Sequence, residues 1–164
     1  MTQTIKHKIV PSLWYAKDVE QAARFYASIF PDSSVDSVET LHADSPSGPA
    51  GSVVIVQLTL FGQPFSAMQA GPHHDFNDAI SFTINCEDQA EVDRYWNAIV
   101  ENGGKPAACG WIIDRYGLRW QIVPAALGRL LGGPDTAGAK RAAEEMLRQV
   151  KLDVAKLQAA YDGR

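Results

Sequence analysis

The chemistry-bearing residues cluster near the end of the segment Trp111–Pro124, WIIDRYGLRWQIVP. Strand alternation over Leu118–Val123 puts Leu118, Trp120 and Ile122 on one face and Arg119, Gln121 and Val123 on the other. A face with a guanidinium, an amide and the nearby indole of Trp111 can hydrogen-bond a small organic molecule and stack against it. Gln57, in the apolar run Val53–Phe61, shares its face with Val53, Ile55 and Thr59 and adds a second amide. Gln57, Trp111, Arg119 and Gln121 are therefore the candidate ligand-binding residues.

Two other groups are weaker candidates. Cys109 stands at the entry to the closing hairpin, but a thiolate nucleophile needs a nearby base or cation, and none follows until Arg115. His73 and His74, with Asp75 and Asp78, offer nitrogen and oxygen donors to a metal. The surrounding GPHHDFND has the composition of a loop, and adjacent side chains on an extended segment point apart, so a solvated connection is the plainer reading. His7 and His42 are isolated.

The elements that must position these residues follow from periodicity. Lys8–Tyr15 reads as a strand, with Pro11 placing it at an edge or bulge. Asp18 is expected to cap a helix carrying Val19, Ala22, Ala23, Tyr26, Ile29 and Phe30 on one face, with Gln21 in the capping-box position. A polar strand over Ser34–Leu41, a loop over Asp44–Gly51 and a hairpin turning at Gly62-Gln63 follow. After the connection 71–78, Ile80–Asn85 is a strand, and Asp88 with Glu91 opens a second helix ended by Gly103-Gly104. Lys105–Cys109, Trp111–Asp114 and Leu118–Val123 supply the last strands, with the final reversal at Tyr116-Gly117.

Strand, helix and three strands thus occur twice. At an offset of 70, Asp18 falls on Asp88, Arg24 on Arg94, Phe25-Tyr26 on Tyr95-Trp96 and Ile29 on Ile99. The expected fold is α+β: two βαβββ modules, about 7–70 and 79–124, forming a curved mixed eight-stranded sheet around a cleft, each half covered by a helix. A domain over 1–127 is then followed by a helical extension over 128–164. In that extension Ala139, Ala142, Ala143, Met146, Leu147 and Val150 form one apolar stripe, and Val154, Leu157 and Tyr161 another after the cap Asp153.

Composition narrows the function classes. The 164 residues are 46% apolar and 21% charged, ordinary for a globular protein. Fifteen basic residues scattered among 19 acidic ones, with a net charge of −4, give no footprint for nucleic acid. No apolar run approaches the roughly 18–20 residues of a spanning helix, and MTQTIKHKIVP has no signal-peptide core, so no membrane partner is expected and cytoplasm is the expected location. Two cysteines without CxxC spacing fit reduced thiols.

The segments LWYAKDVEQAARFYASIFPDS, GQPFSAMQAGP, FNDAISFTINCEDQAEVDRYW, CGWIIDRYGLRWQIVP and KLDVAKLQAAYDG resemble the PhnB-like branch of the vicinal oxygen chelate (glyoxalase, bleomycin-resistance and dioxygenase) superfamily. Many of its members carry the label 3-demethylubiquinone-9 3-methyltransferase. The resemblance implies the paired βαβββ fold and a homodimer. It also implies, for metal-dependent members, His, Glu or Gln ligands in the first strand and a later strand of each module. At the matching positions this chain offers none in Ile9–Ser12, Gln57 in Val53–Leu60, none in Ala79–Ser81, and Gln121 in the final strand. Two neutral amides fall short of the about three strong ligands of a catalytic divalent site, so no metal or other cofactor is expected. No Gly-rich turn follows a strand, as a methyltransferase of the usual kind would need. The expected function is metal-independent binding of a small molecule. The alternatives are an enzyme of the same superfamily, acting through a metal at His73 and His74 or through Cys109, and an interaction module built on the helical tail.

Overall fold

The computed structural model describes residues 7–164. Its elements are β1 (Ser12–Tyr15), α1 (Val19–Ile29), β2 (Ser34–Thr40), β3 (Val54–Leu60), β4 (Gln63–Gln69), β5 (Phe82–Cys86), α2 (Gln89–Glu101), β6 (Lys105–Pro106), β7 (Trp111–Ile113), β8 (Arg119–Pro124), α3 (Ala125–Leu131), α4 (Thr136–Arg148) and α5 (Val154–Asp162). The chain forms two compact units, one ending at Asp75 and the other running Phe76–Arg164, and the three C-terminal helices belong to the second.

Each unit holds a four-stranded mixed sheet, in the orders β1-β4-β3-β2 and β5-β8-β7-β6. The first strand of each runs parallel to the last, and the remaining pairs are antiparallel. The repeated βαβββ order is therefore matched by a repeated topology. β1 is an edge strand, where the missing N–H of Pro11 costs no ladder bond, and the Pro11 carbonyl accepts from Ser66 N at 2.9 Å.

In the first unit, Leu13, Tyr15, Val56, Leu58, Leu60, Phe65 and Ala67 alternate onto the face covered by α1. They meet Val19, Ala22, Ala23 and Tyr26 there, and the hydroxyls of Tyr15 and Tyr26 lie 3.2 Å apart. In the second unit Ile84, Cys86, Ile112, Trp120 and Ile122 are buried, as are Val92, Tyr95, Trp96 and Ile99 of α2.

Asp88 caps α2, its side chain accepting from Glu91 N. The corresponding expectation for Asp18 is corrected: its backbone is left-handed (φ 61°) and its side chain makes no cap bond. Gln69, from the end of β4, takes that role by accepting from Val19 N at 3.3 Å. The β3–β4 hairpin turns one residue earlier than expected, at Phe61-Gly62, with φ of 49° and 73°. Positive φ at both loop positions is the arrangement whose twist matches the flanking strands, so Gln63 pairs with Leu60. The strand expected over 105–109 is only Lys105–Pro106, because Cys109 and Gly110 turn aside into positive φ (59° and 81°).

That departure is where the C-terminal extension attaches. Cys109 N and Gly110 N donate to the carbonyls of Gln149 and Val150, each at 2.8 Å. Gln89 of α2 donates to Leu152 O and accepts from Val154 N, and Lys151 pairs with Asp93 at 2.7 Å. Leu152 joins Leu127, Leu130, Ala142 and Leu157 in a separate apolar cluster. A Cβ on Gly110 would stand 2.9 Å from Ile122 O and 3.0 Å from Leu152 Cδ1, so only glycine admits this approach. Asp135 and Asp153 cap α4 and α5. The stripe expected to run to Val150 is buried at Ala142, while Leu147 and Val150 are exposed, since the helix ends at Arg148 and the chain turns to dock. No helix among the described residues is long and apolar enough to cross a membrane.

Leu152 has no exposed surface, so Leu152→Ala should cost about 2–5 kcal/mol in urea unfolding. Leu147→Ala, on the solvent side of the same extension, should cost less than about 0.5 kcal/mol. Equal effects would contradict the docking described.

Candidate functional site

The second unit's candidate residues depend on the β7–β8 reversal. Asp114, 4% exposed, ends β7 with its carboxylate inside the turn. One oxygen accepts from Tyr116 N at 2.9 Å and Leu118 N at 3.0 Å, and the other from Trp120 Nε1 at 2.8 Å. Three donors thus offset the desolvation of one carboxylate. The same residue closes the backbone turn, Asp114 N bonding Leu118 O and Gly117 N bonding Asp114 O, with Gly117 at φ 91°.

This closure fixes the register Trp111↔Gln121 and Ile113↔Arg119. Leu118, Trp120 and Ile122 are buried on the helix side, and Arg119, Gln121 and Val123 are half-buried on the opposite face, as the alternation predicts; Arg119 and Gln121 lie on its open part, while Val123 packs against the apolar cluster of the extension. Gln121 is also the register partner of Thr83 and donates through Nε2 to Ser81 Oγ at 2.8 Å. That bond holds the amide so that its carbonyl oxygen is the available acceptor. Arg119 donates through Nε to Asp78 Oδ1 at 2.8 Å and through Nη1 to Gly117 O at 2.6 Å, and its side chain is only 18% exposed. The guanidinium is therefore fixed in place.

Beside this face lies an open cavity of about 380 Å³, lined by Asp78, Ala107, Ala108, Cys109, Trp111 and Ile113. Trp111 belongs to both cavity and sheet face. Cys109 reaches the cavity because the extension holds its backbone, and it is a half-buried free thiol. Cys86 differs: it is buried at the end of β5, and burial, reinforced by Glu91 and Asp88 against Arg94, pushes its thiol from 9.0 up to about 12.

Gln57 lies in the first unit, apart in sequence and unit from the other three. It is exposed on the open face with Ile55 and Thr59, and its Nε2 donates to Ser66 Oγ at 3.3 Å. Val53, expected on that face, precedes β3 and is buried. His73 and His74 set their rings edge-on to Trp14, at 5.8 and 5.5 Å between centroids, while Trp14 Nε1 donates to Gly71 O. Both imidazoles thus have a packing role around one indole. Among the described residues no three or more His, Cys, Asp or Glu come together as a metal-holding group.

In the sequence Asp114 and Ser81 carry no mark of a functional role, and Asp78 stands out only as a companion of the histidines. The signal for Asp114 was its place before Tyr116-Gly117, where an Asp side chain commonly closes a turn by bonding backbone two residues on. Asp78 and Ser81 reach their partners 41 and 40 residues away, a pairing no local pattern encodes.

The family model described as 3-demethylubiquinone-9 3-methyltransferase matches residues 7–123, ending before the three C-terminal helices. No curated protein matches the chain significantly. Among solved structures, a PhnB protein of Bacillus cereus, provisionally assigned as a 3-demethylubiquinone-9 3-methyltransferase, is 26% identical over 73% of this chain and 100% of its own, with a TM-score of 0.63. Protein PA1353 of Pseudomonas aeruginosa is 23% identical over 73% and 98%, with a TM-score of 0.55. The fosfomycin resistance protein FosX of Listeria monocytogenes, solved with Mn(II) and a dihydroxypropylphosphonic acid, is 14% identical over 73% and 93%, with a TM-score of 0.54. The last two likenesses concern the fold.

Asp114→Ala would remove the acceptor of two buried donors, Leu118 N and Trp120 Nε1, and of the half-buried Tyr116 N, so a loss on the order of 3–5 kcal/mol in chemical denaturation is expected. Alkylation of the native protein at pH 8, followed by peptide mapping, should modify Cys109 and spare Cys86. Because the folded Cys86 thiol ionises well above its unfolded value, its contribution to stability is complete below about pH 9 and is lost as pH rises toward 12. Cys86→Ala should flatten that alkaline decline.

Proposed function

The chain belongs to the 3-demethylubiquinone-9 3-methyltransferase family, in the PhnB-like branch of the vicinal oxygen chelate superfamily with its glyoxalase/bleomycin-resistance fold, and within that family we propose that it binds a small organic ligand without a metal. The observation that carries this reading is the convergence of Trp111, Gln121 and Arg119 on one open sheet face, bordered by a largely apolar cavity. Trp111 is the wall, Gln121 an oriented acceptor, and Arg119 a fixed cation paired with Asp78. Gln57 supplies the corresponding amide on the open face of the first unit.

The donor chemistry supports metal independence. The matching strand positions hold Gln57 and Gln121, whose neutral oxygens do not fit a catalytic divalent ion needing about three strong ligands. His73 and His74 pack on Trp14 without a third donor in a metal-holding group among the described residues. Methyl transfer in the sense of the family's description has no support from the strand–helix turns: Ala16-Lys17-Asp18 and Glu87-Asp88 contain no glycine to admit a nucleotide cofactor. A second reading, a thiol-dependent enzyme, rests on the presence of Cys109 in the cavity lining. No cationic side chain joins it there to favour a thiolate. We take the working form to be a cytoplasmic homodimer with neither nucleic-acid nor membrane partners, in line with the superfamily resemblance and the net charge of −4.

A thermal-shift and ligand-observed NMR screen of small ring-bearing compounds, run with and without EDTA, tests the reading. Hits should survive chelator, weaken roughly tenfold or more in Trp111→Ala, and weaken about fivefold in Gln121→Ala. Hits that require added metal, or ignore both substitutions, would contradict it. Turnover abolished by Cys109→Ala would favour the second reading.

A further inference from the structure

Building on the ligand-binding reading, we infer that the cavity beside Trp111 selects ring-bearing amines, with Asp78 recognising the ammonium. Among the six lining residues, Asp78 is the only ionised one, and the others present methyl, thiol, aliphatic and indole surfaces. Its side chain is 77% exposed, against 18% for Arg119, so the carboxylate, rather than the guanidinium behind it, meets an incoming molecule.

The bonding of the pair sharpens this asymmetry. Asp78 Oδ1 accepts from Arg119 Nε, while Oδ2 has no donor among the described residues. Arg119 gives its Nε to Asp78 and its Nη1 to Gly117 O, and it does not line the cavity. It offsets the charge of the carboxylate from behind without itself meeting the ligand. Lys105, the register partner of Ile113 on the edge strand, is exposed and also outside the lining.

An ammonium can donate to the free Oδ2 and lie against the indole of Trp111, whose π face attracts cations, while its ring covers Ile113 and the alanines. A carboxylate ligand would face Asp78 as a like charge, or would have to displace it from Arg119. The guanidinium cancels most of the longer-range field, so the preference must come from contact. One exposed ion pair and one cation–π contact together amount to about a five- to tenfold effect.

Three probes with one ring test the inference: 2-(1-naphthyl)ethylamine, 1-naphthaleneethanol and 1-naphthylacetate. Each is titrated at low salt against the intact protein, following the Trp111 indole N–H by NMR after assignment with Trp111→Phe. The amine should bind five- to tenfold more tightly than the alcohol, and the acid more weakly than either. In Asp78→Asn the amine-to-alcohol ratio should fall to about one. In Arg119→Gln that ratio should persist or rise, which separates recognition by Asp78 from a merely structural role. Binding at Trp111 without charge preference, or with preference for the acid, would overturn the amine assignment and leave the ligand-binding reading intact. Failure of all three probes to shift Trp111 would count against both.

Discussion

A carboxylate buried beneath a tight reversal would be costly without compensation, and Asp114 is compensated by two backbone N–H groups and the indole of Trp120. That interaction couples the turn to the core. Trp120 is the large side chain on the buried side of β8, so anchoring it sets which residues of the strand look outward. A one-residue slip would bury Arg119 and Gln121 and expose Trp120 and Ile122. The open face therefore inherits its chemistry from a bond made on the other side of the sheet.

The two units show how one topology carries different surfaces. Their sheets share strand order and their helices share a register of buried aromatics, Tyr26 in one and Trp96 in the other. The open face of the first presents Gln57 bonded to Ser66 and the Trp14 indole flanked by two histidines. That of the second presents Trp111, Gln121 and a guanidinium tied to Asp78. The second also carries the extension, which grips the chain at Cys109-Gly110 and so shapes one wall of the cavity. The family match ends at residue 123, so this wall is supported by helices that lie beyond the matched region.

What could be read from the sequence was whatever a short window encodes. Alternation along β8 gave both faces, the offset of 70 gave the repeat, and Asp88 and Asp153 signalled helix caps that are present. Asp18 misled because the same residue type also tolerates left-handed backbone, and its expected work is done by Gln69, 50 residues away from Val19. The hairpin turn moved by one residue because Phe61 accepts positive φ, a conformation ordinarily left to glycine or asparagine. The pairing of Arg119 with Asp78 and the docking of 149–150 on 109–110 are tertiary, and no periodicity announces them.

On the proposed reading, this member of a superfamily with metal-dependent enzymes binds its ligand through the indole of Trp111, the amide of Gln121 and a fixed ion pair, with no metal. The most direct test is elemental analysis by mass spectrometry of protein purified without chelator or metal-affinity resin, from growth media supplemented with zinc, manganese, nickel and iron. Far less than one metal per chain is expected under every condition. A near-stoichiometric divalent ion would contradict it and return attention to Gln57, Gln121 and the histidine pair as ligands.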